Sequence, residues 1–139
     1  KTIISEENGV ISQVLQDNRH AKIHQIGSRG GATRLASGYA FHNINNQIKL
    51  LSENIDANNY NVPDVMSNFL INMDLIFNRV LINNPSLSVD LFIKMAKSLS
   101  GDQFSEFMLN KANFKIWCKV IMRMPKTPFL KESIKIFLD

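Results

Sequence analysis

Residues 26–41 read Ile26-Gly27-Ser28-Arg29-Gly30-Gly31-Ala32-Thr33-Arg34-Leu35-Ala36-Ser37-Gly38-Tyr39-Ala40-Phe41, and they hold four of the six glycines of the 139-residue chain. Two arginines and three small hydroxyl residues accompany them, so side-chain bulk has been removed where backbone must approach something closely. Downstream, Phe41, Ile44, Ile48 and Leu51 are spaced three, four and three apart, a helical stripe expected to run from Gly38 to about Asn54. Ser37 then stands as its N-cap. Amides left free in that first turn, at the positive end of the helix dipole, make an anion or dinucleotide-phosphate site physically reasonable. A tight turn that binds nothing has the same composition.

The segment before the loop sharpens the expectation. Ala21 to Ile26 alternates imperfectly, as a short strand running straight into Gly27 would. Strand, glycine loop and helix follow one another in this way at the carboxyl edge of α/β nucleotide-binding sheets. The Gly-x-Gly-x-x-Gly spacing of a Rossmann opening loop is not present. Further upstream, Lys1 to Ile4 and Val10 to Leu15 flank a Glu6-Glu7-Asn8-Gly9 turn, and Asn-Gly between β-branched runs is a hairpin signal. The sequence therefore predicts an α+β fragment: a few N-terminal strands from a sheet, a glycine loop into a helix, and a mostly α-helical C-terminal region.

Ile26-Gly-x-Arg-Gly-Gly-x-x-Arg, followed by Ser37-Gly38-Tyr39-Ala40-Phe41 and a helix, resembles the carboxyl-side flavin motif of the FAD-dependent lycopene cyclases of carotenoid synthesis. Glu6-Glu7-Asn8-Gly9-Val10-Ile11 is similar to the Glu-x-Gly-Val-Ile segment that precedes the loop in that family, and Pro125-Lys126-Thr127-Pro128-Phe129-Leu130 to its Leu-Pro-x-x-Pro-Phe-type ending. Leu35, Ser37 and Ser12 depart from the proline, threonine and proline usual at those places. The resemblance implies the carboxyl-terminal part of an enzyme that closes the ends of lycopene, or a related linear carotene, to ionone rings with no net redox change. FAD reduced by NAD(P)H is the cofactor so implied. Gly27, Ser28, Arg29, Gly30, Gly31, Arg34, Ser37, Gly38 and Tyr39 are its expected flavin-binding residues, with Arg29 and Arg34 holding anionic groups or bracing the loop. The family's acidic catalytic motif has no counterpart in this chain. Another flavin-dependent isoprenoid reductase or hydroxylase would use the same loop, and a non-enzymatic helical membrane-binding or interaction module is the alternative from a different class.

The remaining composition limits other readings. Glu6 and Glu7 are adjacent, so on a strand they point to opposite faces and read as solvated turn charges before they read as a shared acid. Cys118 is the sole cysteine, and its neighbours Trp117 and Ile121 suit a small core residue. His20 and His24 could meet only on a helix and find no third ligand nearby, so no metal site is expected. The chain begins at Lys1, which suits a truncated or processed product, and shows neither a signal-peptide pattern nor an uncharged apolar run of about 18 residues.

Asparagines crowd residues 43–61, with Asn43, Asn45 and Asn46 on the expected polar face of the first helix and the rest in a turn-prone link ending at Val62-Pro63. That link divides the chain into a flavin-module end, 1–58, and a helical cap, 59–139. Apolar stripes then follow: Met66 to Leu81, Leu87 to Leu99, a short helix from Asp102 to Leu109, Phe114 to Met122, and a last helix through Leu138.

Charge is uneven along the chain. Residues 1–100 carry 9 Lys/Arg against 8 Asp/Glu, and residues 101–139 carry 7 against 4. Lys111, Lys115, Lys119 and Arg123 recur every four residues as a basic ridge, suited either to a solvated outer face or to an anionic membrane surface, and the resemblance to enzymes acting on lycopene implies the second, with a cytoplasmic, peripheral-membrane location as the expectation. A pI near 9.3 invites nucleic acid, but the formal charge is only +4 and no recognition motif accompanies it.

Overall fold

A computed structural model describes residues 24–138. Every regular element among the described residues is helical: α1 (Phe41–Asp56), α2 (Asn68–Asn83), a 3-10 turn (Pro85–Leu87), α3 (Ser88–Lys97), α4 (Gly101–Met108), α5 (Phe114–Arg123) and α6 (Lys126–Leu138). The α+β expectation is thereby corrected. His24, Gln25 and Ile26, the described end of the expected strand, form irregular backbone, and the strands read at residues 1–23 lie outside the described residues. The cause is local. A Cβ on Gly30 would sit 2.5 Å from the Gln25 carbonyl oxygen and 2.7 Å from the Ile26 Cα, so the loop backbone lies directly against Gln25 and Ile26 and this segment takes the shape of the bend.

Helix starts are chosen by side chains that accept from otherwise unpaired amides. Ser67 accepts from the Leu70 N–H (3.2 Å) to begin α2, and Asn113 accepts from the Ile116 N–H (3.1 Å) to begin α5. Ser100 and Gln103 close a reciprocal capping box on α4. Pro128 falls in the first turn of α6, where a missing N–H costs nothing, so it continues that helix rather than delaying it.

Helices α2 to α6 enclose the core. Phe77, Val80, Leu91, Phe107, Ile116, Val120 and Met124 form one buried cluster. Its largest fully buried members, Leu91 and Val80, come from α3 and α2. Each such side chain contributes about 1.5–3 kcal/mol by leaving water. α2 packs most extensively against α6, so the two ends of the helical region close on each other.

α1 is built differently. Its fully buried positions are the polar Asn43 and Gln47, while Phe41 is 73% and Ile48 49% exposed. Of the three asparagines expected on the outward polar face, Asn45 and Asn46 are exposed, while Asn43 turns inward against the glycine loop. The N-cap is Ala40 with no side-chain cap, and Ser37, the expected cap, instead accepts from the Tyr39 N–H at 3.3 Å.

Candidate functional site

Two features meet between α1 and the helical core: the loop 26–40 and an apolar cavity beside it. The loop is held by side chains that grip its backbone. Gln47 accepts from the Gly27 N–H (2.8 Å) and donates to the carbonyls of Gly30 (2.9 Å) and Pro63 (3.2 Å). Asn43 donates to the Ala32 carbonyl at 2.9 Å, and Asn78 of α2 donates to the Leu35 carbonyl at 2.8 Å. Asn43 and Gln47 sit one turn apart on α1, so their spacing matches two points on one loop.

Arg34 ties the loop to the core. Its Nε and Nη2 donate to the two oxygens of Asp74 at 2.9 and 2.7 Å, a bidentate pair with both side chains almost fully buried. Nη1 donates to the Phe107 carbonyl (3.2 Å) and to Asn110 Oδ1 (2.9 Å), and the guanidinium lies 5.5 Å from the centre of the Phe107 ring. Asp74 Oδ2 also accepts from the Ala36 N–H at 3.3 Å. Asn110, at φ 60° just past α4, donates in turn to Asn43 Oδ1 at 2.7 Å. Loop, α1, α2 and α4 are thus joined through one buried polar knot.

The backbone donors named in this loop are spent inside the protein. Beyond Gly27 and Ala36, the Ala32 N–H donates to the Gly27 carbonyl (3.0 Å), the Arg34 N–H to the Tyr39 carbonyl (2.8 Å), and the Gly38 N–H to the Arg34 carbonyl (2.8 Å). Among the expected cofactor residues, Ser28, Arg29, Gly31 and Ser37 are exposed, Gly27, Gly38 and Tyr39 are half-buried, and Gly30 and Arg34 are buried. A flavin phosphate could therefore be met along the outer edge Ser28–Arg29–Gly31, and not by a ring of open amides.

The cavity has a volume of about 640 Å³ and lies between α2, α3, α4, α5 and α6. Its wall is almost wholly apolar and strongly aromatic. Phe69 and Trp117 meet edge-on with centroids 5.2 Å apart, and Trp117 lies 5.0 Å from Phe107. Phe77 stands 5.4 Å from Phe92 and 6.1 Å from Phe129. Arg34, Ala36, Ser37 and Asp74 complete the wall on the loop side, so the loop and the cavity share residues. A volume in this range suits a small-molecule ligand, and the lining suits a hydrocarbon.

Asp74, Asn43, Gln47 and Asn110 were not singled out from the sequence. Asp74 carried one signal, being the lone carboxylate in the stripe Leu70, Met73, Ile76, Phe77. Lys111, Lys115, Lys119 and Arg123 are all exposed, and Lys119 Nζ donates to Gln103 Oε1 at 2.9 Å. Cys118 is half-buried. Among the described residues no three His, Cys, Asp or Glu side chains gather as a metal site, and no helix is long and apolar enough to cross a membrane. The chain matches no family model, no curated protein and no solved structure.

Proposed function

We propose that this chain is the carboxyl-terminal, substrate-holding part of a flavoenzyme of the lycopene-cyclase type, and that its cavity takes the end of a long apolar polyene. The carrying observation is the juxtaposition of the 640 Å³ aromatic cavity with the very loop that bears the resemblance. The pairing of Arg34 with Asp74 leaves the loop side of that wall without net charge, and the one further ionic residue of the lining, Lys126, is exposed and donates to the Ile121 carbonyl. Rings such as Phe69, Phe77, Trp117 and Phe129 exclude water and offer π faces, which attract a cation at about 0.5–2 kcal/mol each. A cation formed at a polyene end is therefore both shielded and favoured by this lining. Reduced FAD, when bound, would supply electron density close to that cation. Ser28, Arg29 and Gly31 are the residues of this chain that would touch it.

The inward-turned amides favour one other reading, a helical module that holds an apolar ligand without flavin. Expression of the chain with its upstream sequence in a lycopene-accumulating host separates the two. The cyclase reading expects a yellow protein and cyclic carotene, with the product lost on Met73→Trp, which fills the cavity, and reduced on Arg29→Glu. A colourless protein that leaves lycopene linear overturns the cyclase reading. The chain by itself is expected to bind FAD weakly or not at all, yet to quench Trp117, its only tryptophan, saturably on addition of a conjugated polyene.

A further inference from the structure

From Leu109 to Lys131 the chain carries six cations, Lys111, Lys115, Lys119, Arg123, Lys126 and Lys131, and no Asp or Glu. All six are exposed. No carboxylate among the described residues forms a salt bridge with any of them. This concentration of charge sits beside apolar side chains that the fold leaves in solvent: Phe114 is 82%, Met122 75% and Leu130 62% exposed.

The arrangement on α5 is ordered. At 100° per residue, Ile116 and Val120 face the core, Lys115, Lys119 and Arg123 form the next strip, and Phe114, Cys118, Ile121 and Met122 form a third. An apolar strip bordered by a cationic one on the same helix is the pattern of a segment lying in a lipid interface, with hydrocarbon below and phosphate headgroups alongside. Lys126 crosses the end of α5, donating to the Ile121 carbonyl at 2.7 Å, and so extends the cationic border onto α6. Ile121, Lys126 and Leu130 also belong to the cavity wall, so this surface and the cavity share a rim.

We infer that the α5–α6 face docks on an anionic lipid bilayer, with Phe114 and Met122 inserted below the headgroups and Lys111, Lys115, Lys119 and Arg123 set against lipid phosphates. Six exposed cations with no carboxylate partner among the described residues give the charge complementarity, and the exposed phenylalanine and methionine select a lipid over a nucleic-acid partner, whose phosphates offer them nothing to enter. The docking surface is independent of flavin binding and of any reaction in the cavity, so it stands or falls separately from the proposed activity.

The test is co-sedimentation of the 139-residue chain with phosphatidylcholine vesicles and with mixed phosphatidylcholine–phosphatidylglycerol vesicles, at low and high salt, with single-stranded RNA binding measured in parallel. Strong partition onto the anionic vesicles that salt weakens is expected. Lys115→Glu with Lys119→Glu lowers it roughly tenfold or more. Phe114→Ser with Met122→Ser, which leaves the charge intact, lowers it on the order of tenfold. All four positions are exposed, and circular dichroism checks that the variants keep their helices. An environment-sensitive dye on Phe114→Cys, in a Cys118→Ser background, shifts to the blue only with anionic vesicles. Equal partition onto both vesicle types, no partition at all, an unshifted dye, or RNA binding that persists in the serine variant without vesicle binding each overturns the inference.

Discussion

The α1–loop region and the α2–α6 region reach their folded state by opposite means. In the first, side-chain amides grip backbone and no apolar residue of the helix is fully buried: Gln47 is fully buried while Ile48 beside it is half exposed. In the second, Leu91, Val80 and Phe107 exclude water and the cations stay outside. Burial of polar amides is tolerated because each finds partners, but it yields a modest net gain per bond, about 0.5–1.5 kcal/mol, against more for each buried aliphatic side chain. A region held by hydrogen bonds to a loop is therefore specific in geometry and weaker in energy.

The largest expected effect lies where the two regions join. Asp74→Ala leaves the Arg34 guanidinium buried without its counter-ion and should cost about 3–5 kcal/mol, read from urea unfolding followed by Trp117 fluorescence. A loss under about 1 kcal/mol would show that the junction is wetter than its burial indicates. Next comes the core: Leu91→Ala should cost about 2–5 kcal/mol in the same assay.

Gln47→Leu keeps the volume while removing three hydrogen bonds, and about 1–3 kcal/mol should be lost, concentrated in the loop. Hydrogen exchange would show the Gly27 amide losing protection while the amides of α3 keep theirs. Equal loss in both would erase the distinction between the regions. The smallest effect belongs to Ile48→Ser, expected within about 0.5 kcal/mol because the side chain is already in solvent. A cost near that of Leu91→Ala would mean that α1's apolar face is covered.

Much of the helical region could be read from periodicity with punctuation. Asn84-Pro85 falls between α2 and α3 and Gly101 at the start of α4, and the apolar stripes supply the buried cluster, whereas the caps Ser67 and Asn113 came to light only in the structure. The loop region was harder for a physical reason. Apolar spacing locates a helix and its stripe, but the buried face of α1 was decided by which side carries amides at the separation of two loop groups, a property of the loop's shape. The Arg34–Asp74 pair spans 40 residues, and no local pattern announces it. The strand expected at Ala21 to Ile26 rested on six imperfectly alternating residues, and its described end is drawn into a tight bend against the backbone of Gly30. The expected flavin cradle rested on glycine content, yet Gly30 is required by a crossing of two chain segments, and Gly38 by a backbone φ of +70°.

That crossing bears on how related sequences should be read as they are found. Position 30 will tolerate only glycine in any homologue that keeps this bend, whether or not a nucleotide is ever carried, so invariance there says nothing about cargo. Ser28 and Arg29, which the bend leaves free to vary, are the columns whose restriction would betray a ligand.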